Sequence, residues 1–115
     1  MSSRNSNKAV LLRRGVAGLA TLFALAAVAL PAEAATVTVM IQKLVFSPAT
    51  ITAKVGDTIE WVNKDVIAHT ATAKDSWDVM IPPKKSASLV LKKAGSIDYY
   101  CRFHPNMKGH ITVSQ

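Results

Sequence analysis

The stretch that decides the fold is the C-terminal segment IDYYCRFHPNMKGHITVSQ, residues 97–115. Its two ends, IDYYC and HITVSQ, are short and rich in β-branched and aromatic residues, which predicts two β-strands joined by a loop. That loop carries the only cysteine of the chain, and Cys101, His104 and Met107 have the spacing Cys-x2-His-x2-Met. A loop that follows a strand can turn three such side chains towards one point, so the segment predicts a site as well as two strands.

The rest of the chain from Thr36 onward is also a series of short strands separated by turns. In TIEWVN, residues 58–63, alternation places Ile59 and Trp61 on one face. The segment KDSWDVMIPPKK, residues 74–85, is expected to be a loop because it has two prolines and charged pairs at both ends. No segment shows sustained helical periodicity, so the predicted fold is all-β, a sandwich or barrel whose loops carry the site. The other predicted strands are TVTVMIQ, LVFSPATITAKVG with a break at Pro48, AHTATA and SASLVL.

The first third of the chain has the composition of a secretory leader. Basic residues precede the apolar run GVAGLATLFALAAVAL, and the small residues of AEA follow a proline. This run of 16 residues is shorter than the roughly 20 residues of a membrane span. We therefore predict a signal peptide over residues 1–34, cleaved between Ala34 and Ala35, with export to the periplasm and no stable membrane anchor. Arg13 and Arg14 suit twin-arginine export, and ordinary secretory export is equally compatible.

The predicted mature chain, residues 35–115, has 81 residues and is expected to form a single small domain. Its net charge falls from +7 for the whole chain to +4, because the leader contains four basic residues and one glutamate. A domain of this size buries only about 60% of its unfolded surface, so a disulfide or a metal often supports it. One cysteine cannot form an intramolecular disulfide. Cys101 is therefore either a buried structural thiol or a metal-bound thiolate, and the residue alone does not decide between them.

The side chains of the loop form a donor set that suits copper. Thiolate, imidazole and thioether are soft or borderline ligands, whereas zinc prefers cysteine, histidine and carboxylates. Two histidines and one cysteine with a weak axial methionine form the blue copper arrangement, which needs a second histidine from another strand. His69, in VIAHTATA, is the candidate. His110 is the competitor, but its neighbour Ile111 is expected to face the core, so His110 is expected to face solvent.

These motifs resemble one known family. The stretch AGSIDYYCRFHPNMKGHITV resembles the ligand loop of the cupredoxins, the blue copper proteins, and FSPATITAKVGDTIEWVNKDVIAHT resembles their first ligand region. The short Cys-x2-His-x2-Met spacing is most similar to that of the amicyanin group. The resemblance covers Thr36 to Val113, and it implies a Greek-key β-sandwich of cupredoxin type that holds one type 1 copper ion.

The resemblance assigns the copper ligands residue by residue. It implies that His69 and His104 are the two imidazole ligands, Cys101 the thiolate and Met107 the axial thioether. Many cupredoxins have asparagine after the first histidine, where it tethers the ligand loop. Here that residue is Thr70, whose hydroxyl can make part of this tether but is shorter and offers fewer donors, so the sequence leaves open whether it replaces asparagine.

The resemblance also implies a function. It implies a monomeric one-electron carrier, not an enzyme, that receives electrons from a dehydrogenase and passes them to a c-type cytochrome. His104 would present its outer edge to these partners through an apolar surface near Pro105 and Met107, which suits brief, weak docking. The alternative is a periplasmic protein that buffers or delivers copper through the same ligands. Nucleic acid is not an expected partner, because no basic stripe is interleaved with aromatic residues.

Overall fold

The structure is a computed structural model that describes residues 33–115. The predicted leader therefore lies almost entirely outside the described residues. Within the described range there are nine β-strands, and no helix there has the length and apolar character needed to cross a membrane. The strands are β1 (Thr36–Gln42), β2 (Val45–Ser47), β3 (Thr50–Lys54), β4 (Thr58–Asn63), β5 (His69–Ala73), β6 (Trp77–Ile81), β7 (Ser86–Val90), β8 (Gly95–Tyr100) and β9 (Lys108–Ser114).

The nine strands form two sheets. One sheet has four strands in the order β2-β1-β4-β7, and the other has five in the order β3-β9-β8-β5-β6. β1 and β4 are parallel, as are β3 and β9, and the other neighbours are antiparallel. Buried side chains of both sheets belong to one hydrophobic core. The domain is therefore the all-β sandwich that the sequence predicts.

Aromatic side chains at the centre of the core join the two sheets. Trp61 of β4 and Tyr99 of β8 are buried, and their rings meet edge to face with centroids 5.7 Å apart. The indole N–H of Trp61 donates a hydrogen bond to the Tyr99 hydroxyl at 3.2 Å, so neither polar group is left unpaired. Phe46 also meets the Tyr99 ring, with centroids 4.8 Å apart. Each aromatic pair of this kind adds about 0.5–1.5 kcal/mol to the stability that burial alone provides.

The ring of Tyr99 lies against the backbone of the opposite strand at Gly109. In the antiparallel register of β8 and β9, Gly109 lies opposite Tyr99. A Cβ atom at position 109 would lie 2.2 Å from the Tyr99 ring, far inside contact distance, so only glycine allows this approach. The glycine therefore makes room for the Tyr99 ring two residues after the loop formed by residues 101–107.

The prediction of a loop over residues 74–85 is wrong. Residues Trp77–Ile81 form β6, an edge strand of the five-stranded sheet that pairs with β5. Its first, third and fifth residues pack into the core, whereas Asp78 and Met80 are exposed. This alternation extends over only five residues. A charged segment precedes the strand and two prolines with two lysines follow it, and these flanks obscure the strand signal.

A buried carboxylate holds the beginning of β1 against the turn between β3 and β4. Asp57 is 7% exposed, and its side chain accepts hydrogen bonds from the N–H groups of Ala35 at 2.9 Å and Lys54 at 2.8 Å. These bonds favour the charged carboxylate and lower the pKa of Asp57 below its usual value of 3.8, although burial acts in the opposite direction. The charged form of Asp57 therefore belongs to the folded state.

We expect Asp57→Asn to destabilise the fold in a pH-dependent way. A carboxylate whose pKa is lowered by folding stabilises the folded state above its unfolded pKa, and this contribution is lost as the pH falls through the folded pKa. The loss in the free energy of unfolding should therefore be present near neutral pH and should shrink as the pH falls below 3.8. Denaturant unfolding of wild type and variant across this pH range measures the difference.

Asp75→Asn is the matched control for this experiment, because Asp75 is an exposed residue in the turn before β6. As an exposed surface substitution it should change the free energy of unfolding by less than about 0.5 kcal/mol. A gap between wild type and Asp57→Asn that stays constant down to low pH would contradict the assignment.

Candidate metal centre

Three donor side chains come from separate segments at one end of the five-stranded sheet. His69 is the first residue of β5, Cys101 follows directly after β8, and His104 lies in the loop that leads to β9. β5 and β8 are antiparallel neighbours in this sheet. Their pairing brings together His69 and Cys101, which are 32 positions apart in the sequence.

The ligand atoms of these three residues converge on one point. Nδ1 of His69 lies 3.7 Å from the Cys101 sulfur, and Nδ1 of His104 lies 3.8 Å from the same sulfur. All three ligand atoms lie within 4.8 Å of one another. His69 and Cys101 are fully buried, whereas His104 is partly exposed. The three ligand atoms are therefore close enough together to hold a single metal ion.

The structure places His110 outside this group, as expected from the sequence. Nδ1 of His110 lies 2.6 Å from a carboxylate oxygen of Asp98, opposite it across β8 and β9. The Asp98 side chain is 90% exposed. His110 therefore contacts Asp98 at the surface of the sheet and does not belong to the group of three donors.

Met107 belongs to a loop whose backbone closes on itself. The Met107 N–H donates to the His104 carbonyl at 2.9 Å, and the Cys101 N–H donates to the Met107 carbonyl at 3.1 Å. Met107 is 3% exposed, whereas Pro105 is exposed. The expectation of an apolar surface near Pro105 and Met107 is thus corrected in part, since Met107 faces inward and does not contribute to it.

The residue after His69 ties β5 to the ligand loop. The Thr70 N–H donates a hydrogen bond to the Cys101 sulfur at 3.3 Å, and the Arg102 N–H donates to the Thr70 hydroxyl at 2.8 Å. An N–H directed at the sulfur stabilises negative charge there and fixes the thiol in place. Thr70 therefore contacts the loop with both its backbone and its side chain, a tether that the sequence leaves open.

The Thr70 and Thr72 hydroxyl groups form a chain of hydrogen bonds that ends at the Asp78 carboxylate. The Thr72 hydroxyl donates to an Asp78 carboxylate oxygen at 2.6 Å, so its own oxygen accepts the proton of the Thr70 hydroxyl, 2.9 Å away. The Arg102 guanidinium donates to the same Asp78 oxygen at 3.1 Å. The bonds from Thr72 and Arg102 lower the pKa of Asp78. Sequence reasoning misses Asp78 because it expects a loop where β6 lies.

A second carboxylate contacts His69 itself. An Asp65 oxygen lies 2.8 Å from Nε2 of His69, and the carboxylate also accepts the N–H groups of Lys43 and Leu44. Burial acts to raise the pKa of Asp65, but the bonds from Leu44, His69 and Lys43 outweigh it and lower the pKa below 3.8. The only sequence signal is an acidic residue four positions before His69, so sequence reasoning does not identify this contact.

The donor set fits copper. The group found among residues 33–115 consists of two imidazoles and one thiol, without a carboxylate. Imidazole and thiol donors are soft or borderline, as copper requires. The burial of the sulfur and of His69 also excludes water, which protects a lone thiol from oxidation.

We expect Thr70→Val to destabilise the fold more than Thr70→Ser does. Thr70 is fully buried, and valine keeps its shape while removing the acceptor of the Arg102 N–H and the hydroxyl that donates to Thr72. The free energy of unfolding should fall by about 1–3 kcal/mol. Serine keeps the hydroxyl and loses one methyl group, a cost of about 1 kcal/mol. Urea unfolding measures both values, and equal losses would show that the hydroxyl chain does not hold the loop.

Sequence comparison relates the chain to known proteins of one family. Residues 15–113 match the family model of the cupredoxin-like domain. The chain is 34% identical to amicyanin of Paracoccus versutus over 76% of this chain and 70% of that protein. It is also 34% identical to the methylamine utilization protein MauL of Methylorubrum extorquens, over 80% of this chain and 85% of that protein.

The fold is also similar to that of solved amicyanin structures. A solved structure of an amicyanin variant in the reduced state matches with a TM-score of 0.63 at 29% identity, over 69% of this chain and 82% of that chain. The two-sheet sandwich, the converging imidazole and thiol donors and the match to the family model therefore lead to one conclusion. As its sequence predicts, the chain belongs to the family of cupredoxin-like domains.

Proposed function

We propose that the protein is an amicyanin-like electron carrier that binds one type 1 copper ion. Its strong ligands would be His69, Cys101 and His104, and Met107 would be the weak axial ligand. The observation that carries the proposal is the convergence of a sulfur and two imidazole nitrogens within 4.8 Å at a largely buried point. Membership of the cupredoxin-like family and similarity to amicyanin support copper as the cofactor.

The protein's contribution is to hold the donor atoms still. The bound copper supplies a centre that accepts and releases one electron. Cys101 and His69 are anchored at the ends of neighbouring strands, and the bonds of Thr70 and Asp65 restrain them further. Because the donors are fixed before any change of charge, little rearrangement accompanies electron transfer, and transfer is correspondingly fast.

His104 gives the site a route to the surface. It is the one partly exposed member of the group of three. Its neighbour Phe103 is 47% exposed, and the segment before His69 exposes Val66 at 77% and Ile67 at 42%. Exposed apolar side chains of this kind suit the small, short-lived interfaces of redox partners.

The proposed partners are a donor dehydrogenase and an acceptor c-type cytochrome, which the monomeric protein contacts in turn. Similarity to amicyanin and to a methylamine utilization protein supports this role. We propose a carrier and not an enzyme because the Cys101 sulfur and His69 are fully buried, out of reach of a substrate. Electrons, unlike substrates, do not need direct access to the metal.

We also propose that residues 1–34 are a signal peptide and that the mature domain begins at Ala35 in the periplasm. The basic start, the apolar run and the small residues before Ala35 support this proposal. N-terminal sequencing of the protein from a periplasmic fraction should therefore begin at Ala35. Full-length protein that remains in the cytoplasm would count against export.

The test of the electron-carrier function is a visible absorption spectrum of the protein with one equivalent of Cu(II), followed by reduction with ascorbate and reoxidation. We expect an intense thiolate-to-copper band that bleaches on reduction and returns on oxidation. Cys101→Ser should lose the band, and His110→Ala, the control, should keep it. Met107→Leu should keep the band and raise the reduction potential, because axial donation is lost.

Two results would overturn the proposal. The first is the absence of the band in the wild-type protein, or its survival in Cys101→Ser. The second is rapid loss of copper to a Cu(I) chelator on reduction, so that the band does not return. That second result would instead favour a protein that buffers or delivers copper.

A further inference from the structure

We propose that Asp65 is a positioning residue that fixes the orientation of the ligand His69 and strengthens its donation to the metal, an inference that rests on the proposed function. The Asp65 oxygen and Nε2 of His69 are 2.8 Å apart, a short distance for such a bond. The side chain of His69 is 0% exposed and that of Asp65 is 16% exposed, so water competes weakly for this bond.

The contact determines which nitrogen of His69 carries the proton. An ionised carboxylate only accepts hydrogen bonds, so Nε2 must be the protonated nitrogen of the ring. In the neutral ring Nδ1 then keeps its lone pair, and this is the nitrogen that lies 3.7 Å from the Cys101 sulfur. Asp65 thus selects the tautomer in which the metal-binding nitrogen is free, before any metal arrives.

Asp65 is itself held rigidly. Its two carboxylate oxygens accept the N–H groups of Lys43 at 2.8 Å and Leu44 at 3.1 Å. Both of these residues have positive φ angles, 54° and 62°, which turn two successive N–H groups towards the same carboxylate. The turn between β1 and β2 is thereby built around Asp65.

The backbone of Asp65 is also anchored. Its N–H donates to the side-chain oxygen of Asn63 at 2.9 Å, and Asn63 is 1% exposed. The Asn63 amide group in turn donates to the carbonyl groups of Ile67, Ile81 and Pro82 at 2.9, 3.3 and 3.1 Å. A chain of bonds therefore runs from the end of β4 in the four-stranded sheet to His69 in the five-stranded sheet.

The charge of Asp65 has an electronic consequence for the ligand. A carboxylate that accepts the Nε2 proton raises the basicity of Nδ1, and a more basic ligand stabilises the more highly charged Cu(II) state relative to Cu(I). Within residues 33–115 the structure gives the His104 ring no carboxylate partner. The two histidines of the site therefore differ. Asp65 restrains the His69 ring and raises its basicity, whereas His104 is partly exposed to solvent.

The test compares Asp65→Asn with Asp98→Asn. Asp98 contacts His110 at 2.6 Å, so the control removes a carboxylate from a histidine outside the site. Asp65→Asn should keep the blue band but lower the ratio of Cu(II) to Cu(I) affinity about 10-fold. For a one-electron couple this raises the reduction potential by about 59 mV. Asp98→Asn should leave the potential unchanged, and Asp65→Glu should keep it closer to wild type than Asp65→Asn does.

A second measurement needs neither copper nor a folded variant. Nitrogen-15 NMR of the metal-free wild-type protein should show His69 protonated at Nε2, with that proton protected from exchange. A His69 ring protonated at Nδ1, or a potential in Asp65→Asn that matches that of Asp98→Asn, would overturn the role of Asp65. Absence of the blue band in wild type would instead overturn the copper function, and the ring measurement would still decide whether Asp65 sets the tautomer.

Discussion

The hydrogen bond from the Thr70 amide to the Cys101 sulfur is the contact on which the rest of the site depends. It joins β5 to the end of β8, and with them the two residues of the site that are fully buried, His69 and Cys101. Neither strand carries a site alone. The sulfur lies within reach of both imidazole groups only because the strands are neighbours in one sheet and because the loop that follows Cys101 folds back on itself.

Carboxylates also restrain the segments that carry the two buried donor residues, His69 and Cys101. Asp65 contacts the ring of His69 directly, whereas Asp78 acts on the residue after Cys101, through two threonine hydroxyls and through the Arg102 guanidinium. The two carboxylates lie in segments that belong to neither the ligand loop nor the strands β5 and β8. The site is therefore a product of the whole sandwich, which explains why a small domain can keep its donors in place.

The sequence predicts the donors better than it predicts what holds them. The spacing of Cys101, His104 and Met107 is local, and the preference for His69 over His110 follows from strand alternation, so pattern reasoning recovers the group of three side chains that the structure brings together. The hydrogen bonds of Asp65 to Lys43 and Leu44 depend on how distant segments approach one another, and local spacing in the sequence does not predict them. Sequence patterns miss β6 for a different reason, because its alternation of buried and exposed residues extends over only five positions between charged and proline-containing segments.

The contact between the Ala35 nitrogen and Asp57 has a consequence for the maturation of the protein. In the uncut chain this nitrogen is an amide that donates one hydrogen bond to the carboxylate at 2.9 Å. Cleavage after Ala34, as proposed, would turn this nitrogen into the terminal ammonium group. A positive charge would then lie beside the Asp57 carboxylate, which is only 7% exposed. Removal of the leader would then change a neutral hydrogen bond into an ion pair, so that the finished protein is held more firmly than its precursor at the first residue of its fold.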